Sequence, residues 1–233
     1  MATRHSSFPI PKLQFSFVEL FSRTVHAMLQ VYEAATCLAK YLDSDHFQAA
    51  HCGRPKQNEV GNSEHPLSGR RVVELGAGTG VVGIMASYLG ASAVITDLDS
   101  LVPLLAHNIS KNNKLLSAGS ISAKALCWGS KPDTDLLHPD FLILANCIYY
   151  ESSLETLLET LLSLTSAGRS ETVVLACYEE RTKEISGLVR RWHSMLSDYF
   201  VIFDVERDAL DAKHTRDHVR IVTMLCRCRQ QEN

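Results

Sequence analysis

The spacing of apolar residues changes along the chain and separates helices from strands. Between Met28 and Leu42, apolar residues recur at steps of three and four, which places them on one stripe of a helix. After Gly69, short β-branched runs alternate with helical patterns, as in a parallel sheet with crossover helices. The predicted strands span residues 71–75, 93–96, 122–126, 141–145 and 172–177, with helices at 81–89, 100–112, 152–165 and 184–196.

The end of the chain carries two more apolar runs, at 199–205 and 218–226, with no helical pattern between them. Strands joined without a crossover helix pair antiparallel, so these two are predicted to form a hairpin. The predicted fold class is therefore α/β, with a Rossmann-like seven-stranded sheet, mostly parallel with a C-terminal antiparallel hairpin, and helices on both faces. Ser152 and Glu155 have capping-box spacing, which predicts that one helix begins there.

Length and local composition predict a single domain. A chain of 233 residues is long enough for one sizeable buried core. The domain is expected to span 28–233, because segment 1–27 mixes prolines and aromatic residues without a convincing period. Residues 43–69 are polar and rich in Gly and Pro, and predict a long loop, either a mobile insertion or a spacer.

A glycine-rich turn connects the first predicted strand to the following helix, in the run Glu74-Leu-Gly-Ala-Gly-Thr-Gly80. Such a turn places backbone N–H groups and a helix N-terminus at the carboxyl end of the sheet, where a ligand can approach closely. A dinucleotide fingerprint has glycine or alanine in its third place, whereas this chain has Val81 there. The alternative interpretation of the glycines is a tight turn with no ligand.

Two acidic residues beside this turn favour a cationic adenosine ligand. Glu74 ends the first predicted strand, where a carboxylate repels phosphates but suits the amino and sulfonium groups of S-adenosylmethionine. Asp97 follows the second strand about twenty residues after Gly76, the spacing at which a carboxylate reaches ribose hydroxyls. The residues therefore predict S-adenosyl-L-methionine as the cofactor.

Composition and charge indicate which other classes of partner are disfavoured. The 23 Lys and Arg residues against 26 Asp and Glu give a formal net charge of -3, so no overall positive field attracts nucleic acid. No run reaches the roughly 18 apolar residues of a membrane helix. Seven scattered cysteines lack zinc-site spacing and indicate reduced thiols. We expect a monomer in the cytoplasm, with no metal site and no membrane or nucleic-acid partner.

Four blocks of sequence carry a resemblance to a known family. They are residues 31–42, the run Val73-Glu-Leu-Gly-Ala-Gly-Thr-Gly-Val-Val-Gly83, the run Ile95-Thr-Asp-Leu98, and Trp128-Gly129 together with Leu144-Ala-Asn-Cys-Ile-Tyr-Tyr150. In these blocks the chain resembles the methyltransferase-like 21 family of seven-strand protein-lysine methyltransferases, and most of all its branch that acts on valosin-containing protein. The resemblance implies a protein substrate, with valosin-containing protein or a similar chaperone or ATPase as first candidate, whereas segment 1–27 diverges from the family.

The resemblance also implies which residues hold the cofactor. Trp128 would lie beside the adenine, although its residue type alone favours a core position. Tyr32 stands where the family has tryptophan, and keeps a flat apolar face for the cofactor. The cofactor-binding residues are expected to be Tyr32, Glu74, Gly76, Ala77, Gly78, Asp97, Trp128 and Ala145.

Asn146 and Tyr149 are the expected catalytic residues, because they match the first and last places of the family's Asp-x-x-Tyr motif. Asn146 replaces the acid of that motif. A lysine amine must lose its proton and point at the donor methyl, and an amide oxygen orients it more weakly than a carboxylate does. We expect slower turnover or a different amine. Tyr149 and Tyr150 are predicted to form the wall of a lysine channel, with ordinary packing as the alternative for Tyr150.

Two alternative functions stay open at this point. The loss of the acid at Asn146 fits a non-catalytic protein that uses the methyltransferase fold to bind a partner. A small-molecule methyltransferase would need a lid, and the polar segment 43–69 is a candidate for one. The polar runs Glu179-Glu-Arg181 and His214-Thr-Arg-Asp-His218 are interpreted as solvated connections.

Overall fold

A computed structural model describes residues 32–52, 65–116, 118–165, 172–211 and 216–227. Segment 1–27 and the predicted helix start at Met28 lie outside these ranges. Seven strands are present: β1 (Arg71–Leu75), β2 (Ser92–Asp97), β3 (Ser120–Ala125), β4 (Phe141–Ala145), β5 (Val173–Glu179), β6 (Phe200–Asp204) and β7 (Val219–Cys226).

Five helices of eight or more residues accompany the strands in the described part of the chain. They are α1 (Glu33–Leu42), α2 (Val81–Tyr88), α3 (Val102–Asn112), α4 (Leu154–Thr165) and α5 (Lys183–Leu196). The longest of them, α5, has 14 residues. No helix among the described residues is long and apolar enough to cross a membrane.

The strands form one sheet in the order β3-β2-β1-β4-β5-β7-β6. The pairs from β3 to β5 are parallel, and β7 pairs antiparallel with both β5 and β6. The predicted mostly parallel sheet with an antiparallel C-terminal hairpin is therefore confirmed. The chain runs outward from β1 to β3 and then returns to β4 on the other side of β1. This change of direction opens a crevice at the carboxyl ends of β1 and β4.

Both faces of the sheet are covered, which explains the nearly continuous apolar runs of the central strands. In β1, Val72 joins a core formed with α1 and α2, whereas Val73 and Leu75 join a second core formed with α4 and α5. Trp192 is completely buried in this second core. Glu74 alternates with Val73 and Leu75, so it points to the face that α2 covers.

Several predicted boundaries shift. Helix α4 begins at Leu154, after a single 3₁₀ turn at Glu151–Ser153, so Ser152 does not start the helix. Strand β5 continues to Glu179, two residues beyond its predicted end. A 3₁₀ turn at Arg207–Ala209 lies between the hairpin strands, where no helical pattern was detected. Local spacing cannot define these ends, because neighbouring elements decide how far each one extends.

The predicted polar loop 43–69 is partly helical. Short helical turns occupy Asp45–Phe47 and Gln48–Cys52, and the hydroxyl of Ser44 accepts a hydrogen bond from the N–H of Phe47. Phe47 is fully buried, with its ring centroid 5.5 Å from that of Phe141. This apolar anchor attaches the start of the loop to the core, which a composition-based interpretation overlooks. Residues 53–64 of the predicted loop lie outside the described ranges.

Helix α2 approaches the sheet so closely at Gly83 that a side chain there would collide with it. A Cβ atom would lie 2.1 Å from Ile95 Cγ2 and 2.8 Å from Glu74 Oε2. We expect Gly83→Ala to lower the free energy of unfolding by about 1–3 kcal/mol through overpacking. Gly187→Ala is the matched control, since a Cβ in α5 would come no closer than 3.9 Å to Arg190.

The control should raise stability by about 0.5–1 kcal/mol, the usual gain from replacing a helical glycine by alanine. Urea unfolding followed by circular dichroism measures both variants. Equal effects of the two substitutions would contradict the close approach of α2.

Candidate active site

A cavity of ≈ 520 Å³ opens at the carboxyl edge of β1, β2 and β4, in the crevice created by the strand order. Ten residues singled out from the sequence lie on its walls: Tyr32, Glu74, Gly76, Ala77, Gly78, Asp97, Trp128, Ala145, Asn146 and Tyr149. The fold thus brings together every one of the expected site residues, although their individual roles stay predictions. The size of the cavity falls in the ordinary range for cofactor and small-molecule sites.

The glycine loop adopts a backbone that other residues rarely take. Gly76, Gly78 and Gly80 have φ angles of 60°, 55° and 80°. A Cβ on Gly76 would also lie 2.9 Å from Trp128 Cζ2 and 3.1 Å from Cys147 Sγ. Glycine at this position is therefore required both by the left-handed backbone and by the aromatic ring packed beside it.

Asp97 holds the glycine loop against β2. Its Oδ2 accepts a hydrogen bond of 2.7 Å from Gly78 N, and its Oδ1 accepts one of 2.8 Å from Leu98 N. Burial raises the pKa of Asp97, while the two backbone hydrogen bonds act in the opposite direction. Each oxygen keeps a second lone-pair site, so the carboxylate can still accept hydrogen bonds from a ligand's hydroxyl groups.

Glu74 lies at the base of the cavity and is only 1% exposed. Its Oε2 accepts a hydrogen bond of 2.8 Å from Gly83 N. Burial raises the pKa of Glu74 to about 8, partly offset by this hydrogen bond and reinforced by the nearby charge of Asp97. The side chain therefore carries a proton at neutral pH in the free protein. A cation bound beside it would favour the ionised form.

Aromatic side chains form the mouth of the cavity. The ring centroids of Trp128 and Tyr149 are 6.5 Å apart, and those of Tyr149 and Tyr150 are 4.8 Å apart in an edge-to-face arrangement. Tyr149 is 38% exposed and Tyr150 55%, so both present aromatic surface to solvent. Burial raises the pKa of Tyr149, so its hydroxyl stays protonated and does not serve as a base near neutral pH.

Asn146 follows β4 with a left-handed backbone, φ 59°. Its N–H donates a hydrogen bond of 2.8 Å to the carbonyl oxygen of Cys177, which holds the backbone that follows β4 against β5. Among residues other than glycine, asparagine and aspartate tolerate this conformation best. The left-handed backbone at position 146 therefore favours glycine, asparagine or aspartate, and asparagine places a side-chain amide at the cavity wall.

Sequence patterns missed several lining residues. Cys127, Cys147, Ser153 and Thr156 also border the cavity. They come from loops and from the first turn of α4, where no motif indicates which residues face the crevice. The thiol of Cys147 donates a hydrogen bond of 3.2 Å to the carbonyl oxygen of Leu75, which adds a buried contact between β1 and the turn after β4.

The interpretation of the Glu179-Glu-Arg181 run as a solvated connection is wrong for its first residue. Glu179 is the last residue of β5 and only 3% exposed. It follows Leu175 and Cys177 on the strand face that packs against α1, so alternation along β5 was the signal that pointed inward.

In the second polar run, 214–218, His214 lies outside the described residues. Within the described ranges no group of three or more His, Cys, Asp or Glu side chains forms a candidate metal site.

Two solved methyltransferases share this architecture. The chain superimposes on the CurJ carbon methyltransferase with a TM-score of 0.56 and 14% identity, covering 87% of this chain and 57% of that one. For magnesium protoporphyrin IX methyltransferase from Synechocystis PCC 6803, crystallised with bound SAH, the TM-score is 0.52 at 14% identity, with 88% of each chain covered. The fold is that of the seven-strand methyltransferases.

Sequence comparison identifies the family. A family model described as lysine methyltransferase matches residues 21–194. Protein N-lysine methyltransferase METTL21A of Xenopus tropicalis is 32% identical over 81% of this chain and 74% of its own length. METTL21A of Danio rerio is 34% identical over 61% of this chain and 64% of its own length, and EEF1A lysine methyltransferase 3 of Xenopus tropicalis is 30% identical over 61% and 60%. This chain belongs to the lysine methyltransferase family, which confirms the resemblance to the methyltransferase-like 21 group.

The protonation of Glu74 gives a test in the free protein. An acid whose folded pKa lies above its unfolded value stabilises the fold fully below the unfolded pKa and loses that contribution as pH rises toward the folded pKa. Wild-type stability relative to Glu74→Gln should therefore fall between about pH 5 and pH 8, with a limiting slope of about 1.4 kcal/mol per pH unit.

Glu74→Gln is a suitable reference because glutamine keeps an oxygen that can accept the N–H of Gly83 and does not titrate. Urea unfolding at pH 5, 6, 7 and 8 measures the difference, in which the titrations of groups that do not interact with Glu74 cancel. Parallel pH profiles for the two proteins would show that Glu74 is ionised throughout.

Proposed function

We propose that this chain is an S-adenosylmethionine-dependent protein-lysine N-methyltransferase. The observation that carries the proposal is the chemistry of the cavity at the carboxyl edge of the sheet. Among its described lining residues are two carboxyl groups, Glu74 and Asp97, and no lysine or arginine. Such a site lacks the cationic side chains that phosphate groups need, and it suits a ligand with a sulfonium and an ammonium group, beside which its acids ionise. Family membership supports the same ligand.

The residues present fit the methyl donor. Both oxygens of Asp97 are anchored by backbone N–H groups and can accept further bonds from the two ribose hydroxyls. Trp128 offers an aromatic face to the adenine. Glu74 and the glycine loop would hold the methionine part, since a carboxyl group with a raised pKa ionises when a cation binds beside it.

When bound, the donor would supply an electrophilic methyl group: its C–S bond would break as a C–N bond to the acceptor amine forms, leaving S-adenosylhomocysteine. The amide oxygen of Asn146 accepts a hydrogen bond from this amine and directs its lone pair. Tyr149 and Tyr150 attract the approaching alkylammonium through their aromatic faces. Before transfer, the ammonium releases a proton to water at the exposed mouth and becomes the neutral nucleophilic amine, because the protonated hydroxyl of Tyr149 cannot accept that proton.

The proposed substrate is a lysine side chain that extends from another protein. A long, flexible side chain can enter past the exposed rings of Tyr149 and Tyr150, while the rest of the substrate stays outside. Valosin-containing protein is the first candidate, on the resemblance of the four sequence blocks alone. Similar ATPases and chaperones are the next candidate substrates.

The replacement of the family's acid by Asn146 gives the main functional test. Asn146→Asp keeps a residue type compatible with the left-handed backbone and adds a charge-assisted acceptor for the amine. We expect methyl transfer to rise about fivefold to tenfold, corresponding to roughly 1–1.4 kcal/mol. The measurement is transfer of radiolabelled methyl to valosin-containing protein and to a cell lysate.

Asn146→Gly is the control, since glycine accepts the left-handed backbone but lacks the side-chain oxygen, and it should reduce transfer below the wild-type rate. Labelling by wild type identifies the substrate by mass, and labelling confined to small molecules would indicate the small-molecule alternative. Labelling by Asn146→Asp alone would reveal a binding protein that lost its acid. The absence of labelling with any variant would overturn the proposed activity.

Cofactor occupancy has a separate test that needs no substrate. Cys127 is exposed and lines the cavity, whereas the partly exposed Cys226 lies at the far end of β7. S-adenosylhomocysteine at ten times its dissociation constant should slow alkylation of Cys127 by N-ethylmaleimide roughly tenfold. Peptide mass spectrometry measures the rate at each cysteine. Equal protection of Cys127 and Cys226, or none, would contradict binding in this cavity.

A further inference from the structure

Helix α1 begins beside the cavity without a cap of its own. Tyr32, the residue before the helix, has an extended backbone, and its side chain does not cap the helix. Tyr32 also forms one wall of the cavity. The first N–H groups of a helix need acceptors when they are buried, so the first turn of α1 requires a partner from elsewhere in the chain.

Glu179 supplies that partner from the end of β5. Its Oε1 accepts a hydrogen bond of 2.7 Å from Ala34 N, between buried groups that are 145 positions apart in sequence. A carboxylate at a helix N-terminus is also favoured by the helix dipole. Leu175 and Cys177 precede Glu179 on the same face of β5 and pack against α1. Glu179 thus follows two apolar residues on this face of β5 and adds a polar contact to the start of α1.

Arg181 connects this contact to the cavity wall. Its guanidinium forms an ion pair with Oε2 of Glu179, whose side chain is only 1% exposed. The same guanidinium lies over the ring of Tyr32, with Cζ 5.6 Å from the ring centroid. A buried carboxylate requires such a counter-charge, and a guanidinium over an aromatic face is attracted by its π electrons. One arginine therefore neutralises the cap of α1 and contacts the wall residue.

We propose that Glu179 and Arg181 are positioning residues of the methyl-donor site, holding Tyr32 against the cavity so that it encloses the bound donor. This inference rests on the proposed function. Neither residue lines the cavity itself: Arg181 acts on the ring of Tyr32, and Glu179 acts through Arg181 and the first turn of α1. The contribution of Arg181 to donor affinity therefore depends on the presence of the Tyr32 ring, which separates positioning from a general effect on folding.

A double-mutant cycle tests the inference by the affinity for S-adenosylhomocysteine, measured by isothermal titration calorimetry on the full chain. Arg181→Met should weaken binding about fivefold to thirtyfold when Tyr32 is present. In a Tyr32→Ala background the same substitution should change the affinity less than about twofold, because the wall is already gone. Lys183→Met, a nearby loss of positive charge, is the matched control and should leave the affinity unchanged.

Thermal unfolding of every variant monitors the fold. If Arg181→Met is too unstable for calorimetry, Arg181→Lys keeps the ion pair but loses the flat guanidinium, and should weaken binding about threefold. Equal weakening with and without the Tyr32 ring, or unchanged affinity in the variants, would overturn the positioning role. A wild-type chain that binds no S-adenosylhomocysteine would instead overturn the proposed function on which it rests.

Discussion

The close approach of helix α2 to strands β1 and β2 determines the geometry of the carboxyl edge of the sheet. Gly83 brings the helix backbone to within hydrogen-bond distance of Glu74, and a side chain in its place would meet Ile95. The helix N-terminus and the glycine loop then lie directly over the strand ends. Asp97 fixes the loop from the neighbouring strand through its bond to Gly78 N. The position of the cavity follows from this packing together with the strand order.

The same packing controls the electrostatics of the site. Because α2 seals Glu74 from water, burial raises the pKa of its carboxyl group to about 8, whereas at Asp97 two backbone N–H groups oppose the rise in pKa that burial causes. A site with two carboxyl groups in unlike environments can adjust its charge to an arriving cation. The wall formed by Asn146, Tyr149 and Tyr150 differs, since these residues are neutral and two of them are exposed. In the proposed function, donor and acceptor would meet at this boundary between buried acids and open aromatic surface.

Much of the fold and half of the site could be predicted from local patterns. The alternation of β-branched runs with amphipathic segments predicts the parallel sheet, because strands and helices impose different periods on buried residues. The glycines and Asp97 stand out because a left-handed turn and a strand-end carboxylate each require particular residue types. Trp128, Ala145 and Asn146 could be assigned only through resemblance to a family, since their residue types alone favour ordinary packing or turns.

The sequence by itself determined the succession of strands and helices along the chain, the glycine loop and the two acidic residues beside it. These features depend on residue types and on neighbours within a few residues. Only the tertiary structure decided that Glu179 is buried against α1, that burial raises the pKa of Glu74, and that α4 starts at Leu154. The contact between Glu179 and Ala34 joins residues 145 positions apart. Burial and long-range partners of this kind arise from the packing of distant elements, which no local pattern of residues encodes.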